Sequence, residues 1–119
     1  MAIFKTLLLA LPALALAAPT SINPRSTGSM TWYTPGLGAC GQNNGENELV
    51  CAMSAGLYDA NSPCGKSIKI TGPAGSVTVK VVDRCVGCAY DDIDLSPAAF
   101  QKAIGELGIG RKNAQWEWA

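Results

Sequence analysis

The stretch SIKITGPAGSVTVKVVD, residues 67–83, decides the fold class of this chain. Two runs rich in β-branched residues, 67–71 and 76–82, flank Gly72-Pro73-Ala74-Gly75, a pattern typical of a β-hairpin. Val77, Val79 and Val81 alternate with polar residues, which predicts one buried and one solvated face. The hairpin is therefore expected to contribute one side of a β-sheet core.

Further short strands are predicted on both sides of this hairpin. Residues 29–34 and 49–53 contain strand formers, and Ala114, Trp116 and Trp118 alternate with polar residues near the end of the chain. Residues 54–58 predict a single turn, and 83–92 a loop. Ser96-Pro97 begins a helix, with serine as the cap and proline at the first helical position. Several short strands and one late helix in so small a domain favour a mostly β, closed-barrel fold.

The first 17 residues are typical of a secretory signal peptide. One basic residue precedes a short apolar run, and Ala15-Leu16-Ala17 forms a small-residue cleavage site. The apolar run is shorter than the roughly 20 residues that a membrane-spanning helix needs. We expect residues 18–28 to be a flexible lead, residues 29–119 to form one domain, and the protein to be secreted, with no membrane contact once the signal is removed.

Charge and composition exclude several classes of function. Nine basic residues balance nine acidic ones and form no cluster, which disfavours nucleic acid as a partner. The chain has no histidine, so neither a Ser–His nor a Cys–His catalytic couple is available. Carboxylates remain for acid–base chemistry, and we expect neither a cofactor nor a metal.

Asp83 and Asp94 are the candidate catalytic residues. Asp83 ends the valine-rich strand, and Asp94 lies between Ile93 and Leu95 just before the helix. Apolar neighbours raise the pKa of a carboxyl group, as a general acid requires. The structural alternative is that both residues accept backbone hydrogen bonds at a turn or a helix start. Calcium binding by the aspartates at 91, 92 and 94 is a weaker alternative, because the EF-hand glycine and distal glutamate are absent.

Five cysteines lie after the signal: Cys40, Cys51, Cys64, Cys85 and Cys88. In an exported protein they are expected to form structural disulfides, and sequence does not choose among the possible pairings. For Cys85 and Cys88, bridges to Cys40 or Cys64 are favoured over a redox pair or half a zinc site. Cys51 lies in an apolar strand and is the candidate for the unpaired, buried thiol.

The ordered set of motifs resembles the rare lipoprotein A-like and expansin-like double-psi β-barrels, in particular their small secreted fungal, loosenin-like forms. The motifs are Thr31-Trp32-Tyr33, Ala39-Cys40-Gly41, Val50 to Ser54, Cys64 to Ile68, Val82 to Cys88, Ile93 to Phe100, and Trp116 to Trp118. The resemblance implies a six-stranded barrel with one or two short helices and an open groove for polysaccharide. It places Thr31, Asp83 and Asp94 in that groove, with Asp94 essential.

The resemblance leaves three functions open. The leading one is a monomeric protein that binds cell-wall polysaccharide (β-glucan, cellulose, chitin or peptidoglycan) and loosens it without hydrolysis. Trp32 and Tyr33 would then stack on sugar rings. The second is a glycoside hydrolase or lytic transglycosylase with Asp94 as the general acid. The third is a secreted protease inhibitor or effector. One departure from plant expansins is that Asp92-Ile93-Asp94 replaces their His-Phe-Asp set.

Overall fold

The computed structural model describes residues 24–119, so the predicted signal peptide and residues 18–23 of the predicted lead lie outside the described residues. Six strands, two α-helices and one 3-10 helix form in this part of the chain. In order they are β1 Ser26–Trp32, β2 Val50–Ser54, α1 Ala55–Asn61, β3 Ser67–Gly72, β4 Gly75–Cys85, β5 Ile93–Leu95, α2 Pro97–Ala103, the 3-10 helix Leu107–Ile109 and β6 Lys112–Trp118. Within residues 24–119, no helix has the length and apolar character needed to cross a membrane.

The six strands close into a barrel in the order β1-β5-β2-β4-β3-β6, with β6 returning to β1. Two neighbouring pairs are parallel, β1 with β5 and β2 with β4, and the other pairs are antiparallel. Closure removes the unpaired edges that an open sheet would expose. The predicted mostly β barrel with short helices is confirmed.

The predicted hairpin forms between β3 and β4. Alternate residues of β4, among them Val77, Val79 and Val81, point into the barrel and join the hydrophobic core. At the turn, a Cβ on Gly72 would lie 2.4 Å from the carbonyl oxygen of Ala103, so only glycine lets α2 pack this closely. The hairpin thereby fixes the position of the late helix.

Helix α2 begins as its sequence predicts. The Ser96 hydroxyl accepts a hydrogen bond from the Ala99 amide at 3.3 Å, and Pro97 occupies the first turn. Phe100 projects from this helix into the core and is fully buried. The helix therefore closes the barrel interior, and its cap follows directly after β5.

Several sequence-based boundaries are wrong. Strand β1 begins at Ser26, three residues before the predicted strand start at Ser29, because residues 26–30 pair with β6. The predicted turn at 54–58 is a seven-residue helix, α1. The predicted loop at 83–92 loses its first residues to β4, which continues to Cys85.

A β-bulge turns Asp83 to the outside of the barrel. Cys51 of β2 pairs with Val81, whereas the next residue, Ala52, pairs with Asp83, so Val82 has no partner on β2. Without this extra residue, the alternation that buries Val81 would also direct Asp83 inward. The bulge therefore places the Asp83 carboxylate on the outer face.

Candidate functional site

Four residues at one level of the barrel form a row across neighbouring strands. Thr31 of β1 pairs with Asp94 of β5, and Ala52 of β2 lies between Asp94 and Asp83. Directly opposed residues in a sheet share a face. Since Ile93 and Leu95 are fully buried, Asp94 and its partners in the row face outward.

Asp94 is half-buried and bound to Thr31. The Thr31 hydroxyl donates to Oδ1 of Asp94 at 2.8 Å. Burial raises the pKa of Asp94 above the ordinary aspartate value, and the nearby Asp83 charge adds to the rise, while the Thr31 hydrogen bond and Arg111 oppose it. Asp94 therefore binds a proton more readily than an ordinary aspartate does. The Thr31 hydroxyl fixes the orientation of its carboxyl group.

Asp94 lies in an open cleft of about 330 Å³. The lining residues come from strand ends and the adjoining loops: Thr31, Trp32, Cys85, Gly87, Cys88, Asp92, Asp94 and Arg111. Trp32 is 37% exposed, and its indole N–H donates to the Leu107 carbonyl at 2.9 Å. The Trp32 ring is therefore held in one orientation at the side of the cleft.

Asp92 and Arg111 also line the cleft; the sequence suggested Asp92 only as part of a weak calcium-site alternative, and it did not suggest Arg111. The Asp92 carboxylate accepts hydrogen bonds from the Ser29 amide at 3.0 Å and the Ala89 amide at 3.1 Å. Arg111 lies 3.8 Å from Oδ2 of Asp92. The signal for Asp92 was its i, i+2 spacing from Asp94, which places both on the outer face. Arg111, just before β6, carried no comparable signal.

Asp83 is held in a different way from Asp94. Its Oδ1 accepts hydrogen bonds from the Ala39 and Arg84 amides, each at 2.8 Å, and Asp83 is not among the cleft-lining residues. Because Ala52 separates the two aspartates, their Cα atoms are two strand spacings apart, roughly 10 Å. The structure thus places the two aspartates on the same face but only Asp94 in the cleft.

Tyr33 follows Trp32 at the end of β1 and is half-buried. Burial raises the pKa of the Tyr33 phenol, and the charges of Asp83 and Asp94 raise it further. Tyr33 is not among the cleft-lining residues. The Tyr33 phenol is therefore near both carboxylates. Unlike Trp32, however, Tyr33 does not line the cleft.

The four cysteines predicted to form disulfides do so, but the expected partners of two of them are wrong. Cys40 bridges Cys64, and Cys85 bridges Cys88. The short bridge forms because β4 ends at Cys85 and the chain turns at once, which brings the Cα atoms of Cys85 and Cys88 to 5.4 Å. Cys51 is unpaired and buried, as predicted. Among residues 24–119, no group of three or more Cys, Asp or Glu side chains could hold a metal ion.

Comparison with known proteins supports this fold. Residues 25–115 match the family model described as lytic transglycolase, a double-psi β-barrel. A curated relative, the allergen Asp f 7 homolog of Arthroderma benhamiae, is 36% identical over an alignment of 91 residues that covers 72% of this chain and 32% of the relative. The chain spans about a third of the length of the first curated relatives it matches.

Two solved structures are similar over most of the chain. One is an aspartate-to-asparagine variant of the Clavibacter michiganensis expansin in complex with cellohexaose, with 27% identity, a TM-score of 0.74, and coverage of 81% of this chain and 50% of the expansin. The other is a Streptomyces papain inhibitor, with 30% identity, a TM-score of 0.71, and coverage of 81% of this chain and 94% of the inhibitor. The double-psi topology predicted from the sequence motifs is thereby confirmed.

Proposed function

Since this chain belongs to the lytic transglycolase family of double-psi β-barrels, we propose that it is a secreted, expansin-like protein that loosens cell-wall polysaccharide without hydrolysing it. The observation that carries this proposal is the Thr31–Asp94 pair in an open cleft beside the fixed ring of Trp32. In this role the cleft binds one polysaccharide chain, and this binding replaces contacts between that chain and adjacent polysaccharide chains.

The chemistry of the cleft fits a sugar ligand. A sugar ring offers a flat apolar face to an aromatic side chain and hydroxyl groups to a carboxyl group. Trp32 supplies the ring, and Asp94 retains one oxygen that Thr31 does not occupy. When protonated, Asp94 also donates a hydrogen bond to a sugar oxygen. The similar expansin structure contains cellohexaose, which supports a β-linked glucan as one ligand class for this chain.

A non-hydrolytic action is supported by the state of the other carboxylates near Asp94. A retaining glycosidase needs a second carboxylate about 5–5.5 Å away, and an inverting one needs a free base at roughly 6.5–9.5 Å. Oδ1 of Asp83 already accepts hydrogen bonds from two backbone amides, and Asp83 does not line the Asp94 cleft. Asp92 is held by two amides and lies beside Arg111. Backbone amides thus already bind both carboxylates, which supports a role for them in holding loops rather than as a second catalytic group.

Secretion is supported by the signal-like residues 1–17 and by the two disulfides, since such bridges persist in oxidising compartments.

We propose that the secreted domain acts as a monomer and needs no cofactor. Size-exclusion chromatography tests this: a monomer elutes at the volume of a single domain at every protein concentration, and a larger apparent size or a volume that shifts with concentration contradicts it.

The decisive experiment compares the native protein with Asp94→Asn on insoluble cellulose, chitin, β-glucan and peptidoglycan. We expect Asp94→Asn to weaken binding by up to about tenfold, because asparagine keeps an acceptor oxygen but loses the charge that strengthens its hydrogen bonds to sugar hydroxyls. Asp91→Asn removes a neighbouring charge outside the cleft and serves as the matched control. Release of soluble sugar products by the native protein, lost in Asp94→Asn, would instead establish the enzymatic alternative with Asp94 as the acid.

Inhibition of a cysteine protease is a second candidate function. One observation favours it: the similar Streptomyces papain inhibitor matches this chain over nearly the inhibitor's whole length. The exposed Val86, in the ring closed by Cys85 and Cys88, is a suitable contact for a protease. A papain assay with the native protein and Val86→Asp tests this candidate. Unchanged papain activity at micromolar protein excludes it for papain.

A further inference from the structure

The Cys85–Cys88 disulfide lies in the wall of the Asp94 cleft, a position that stabilising the fold does not require. Both cysteines and the intervening Gly87 line the Asp94 cleft, and Val86 at the tip of the ring is 79% exposed. The Cys40–Cys64 bridge, by contrast, joins segments 24 residues apart on the side of Tyr58. A bridge between residues only three apart restricts the unfolded chain much less than a long-range one.

The ring is joined directly to the loop that positions Asp92. Directly after Cys88, the Ala89 amide donates to Asp92 Oδ2 at 3.1 Å, and the Asp92 amide donates to the Ala89 carbonyl at 3.0 Å. The Tyr90 carbonyl accepts from the Ser54 hydroxyl at 2.6 Å. Asp92 in turn directly precedes β5, which carries Asp94. Since Cys85, Gly87 and Cys88 line the cleft, opening the ring is expected to loosen one wall of the cleft without breaking a strand pair of the barrel.

We propose that the Cys85–Cys88 disulfide is a thiol-sensitive clasp on the sugar cleft, whose reduction by a small dithiol weakens polysaccharide binding. This inference rests on the proposed function. A thiolate of the dithiol attacks one sulfur of the bridge, the S–S bond breaks, and a mixed disulfide forms. The second thiol of the reagent then releases the protein thiol. The protein gains two electrons and two protons, and the dithiol becomes a cyclic disulfide.

Cys51 does not interfere with this chemistry. Its side chain is fully buried in the barrel core, and burial raises the pKa of its thiol, which keeps it in the unreactive protonated form. Re-oxidation therefore restores the Cys85–Cys88 ring rather than a bridge to Cys51. The clasp is expected to be reversible.

The test measures polysaccharide binding before and after treatment with dithiothreitol, with alkylation and mass spectrometry to identify the reduced cysteines. We expect the dissociation constant to rise by roughly three- to tenfold, since a preorganised wall is lost, and to recover on re-oxidation. Cys85→Ala/Cys88→Ala should bind as weakly as the reduced protein and no longer respond to dithiothreitol. Cys40→Ala/Cys64→Ala is the matched control: it should lose more thermal stability yet keep both native binding and the response to dithiothreitol.

Two outcomes overturn the clasp. Either the Cys85→Ala/Cys88→Ala variant binds with the native dissociation constant, or the response to dithiothreitol follows the Cys40–Cys64 bridge. The carboxyl NMR signals of Asp92 and Asp94 give an independent readout, since both should shift on reduction without a change in the far-ultraviolet circular dichroism of the barrel. If the oxidised protein binds no polysaccharide at all, the proposed function fails, and an unperturbed Asp92 signal on reduction then rejects the clasp separately.

Discussion

Asp83 and Asp94 lie on either side of Ala52 at the same level of the barrel, and the protein holds them in opposite ways. Asp83 accepts hydrogen bonds from two backbone amides, one of them the Ala39 amide in the loop after β1. Asp94 accepts a hydrogen bond from one side-chain hydroxyl, that of Thr31, and lies in the open cleft. The difference shows that two aspartates on one face serve two purposes: Asp83 anchors a loop, whereas Asp94 remains available to a ligand.

The backbone explains this division. Asp83 follows a bulge at the point where the loop bearing Gly38 packs against β4, so amides surround its carboxylate. Asp94 is on the central residue of a three-residue strand whose ends enter a loop and a helix cap. Backbone amides next to Asp94 are already paired with β1 and β2. They are thus not available to its side chain.

The largest expected effect is on stability, at Asp83. Asp83→Ala leaves the Ala39 and Arg84 amides without their acceptor; because water can reach the exposed Ala39 amide, the free energy of unfolding should fall by about 2 kcal/mol. Asp83→Asn retains an acceptor oxygen and should cost less than about 1 kcal/mol. Urea unfolding monitored by tryptophan fluorescence measures both. If Asp94→Ala proves as destabilising as Asp83→Ala, the two aspartates do not differ as we infer.

The second prediction concerns the loop that covers Asp83. A Cβ on Gly38 would lie 2.4 Å from the Val82 carbonyl oxygen, so Gly38→Ala should push the loop off β4 and cost about 1–2 kcal/mol. Gly36→Ala is the matched control, because no atom lies within 4 Å of its added Cβ. Sugar binding at Asp94 should be unaffected by either change. Equal unfolding midpoints for the two variants would mean that the loop does not depend on this close approach.

The sequence predicts the repeating parts of this fold well. Alternating valines, the Gly-Pro-containing turn and the Ser96-Pro97 start specify local structure through contacts between near neighbours, and all appear as expected. The resemblance to expansin-like barrels predicted that Thr31 and Asp94 share one groove. Sequence spacing could not predict this, since the two residues are 63 positions apart.

Other features depend on three-dimensional register, which the sequence does not reveal. The bulge at Val82 has no distinctive residue, because its cause is the pairing of β2 with β4. Strand β5 has only three residues, too few for an alternation to be recognised. The pairing of Cys85 with Cys88 follows from where β4 ends, and Arg111 enters the cleft only because barrel closure brings the start of β6 beside β1.

A smaller effect is expected at Thr31. Thr31→Val keeps the shape of the side chain but removes the donor to Asp94, and should cost about 1 kcal/mol of stability. Because that hydrogen bond lowers the pKa of Asp94, its loss should raise this pKa further. NMR titration of the Asp94 carboxyl carbon measures the shift. Thr27→Val, on an exposed part of the same strand, is the control and should leave the titration unchanged.

The smallest effect is the pH dependence that Asp94 itself contributes to stability. Its pKa is raised in the folded protein, so between the ordinary value of about 4 and the higher folded value the folded state binds more protons than the unfolded state. Stability from this group therefore decreases as pH rises through that window, and is greatest below it. Asp94→Asn has no such titration. Urea unfolding of the native protein and Asp94→Asn from about pH 3 to about pH 7 should show the native protein losing stability relative to the variant as pH rises. A difference that does not change with pH would show that folding leaves the pKa of Asp94 unshifted, and a change in the opposite direction would show that the cleft stabilises the Asp94 carboxylate instead of desolvating it.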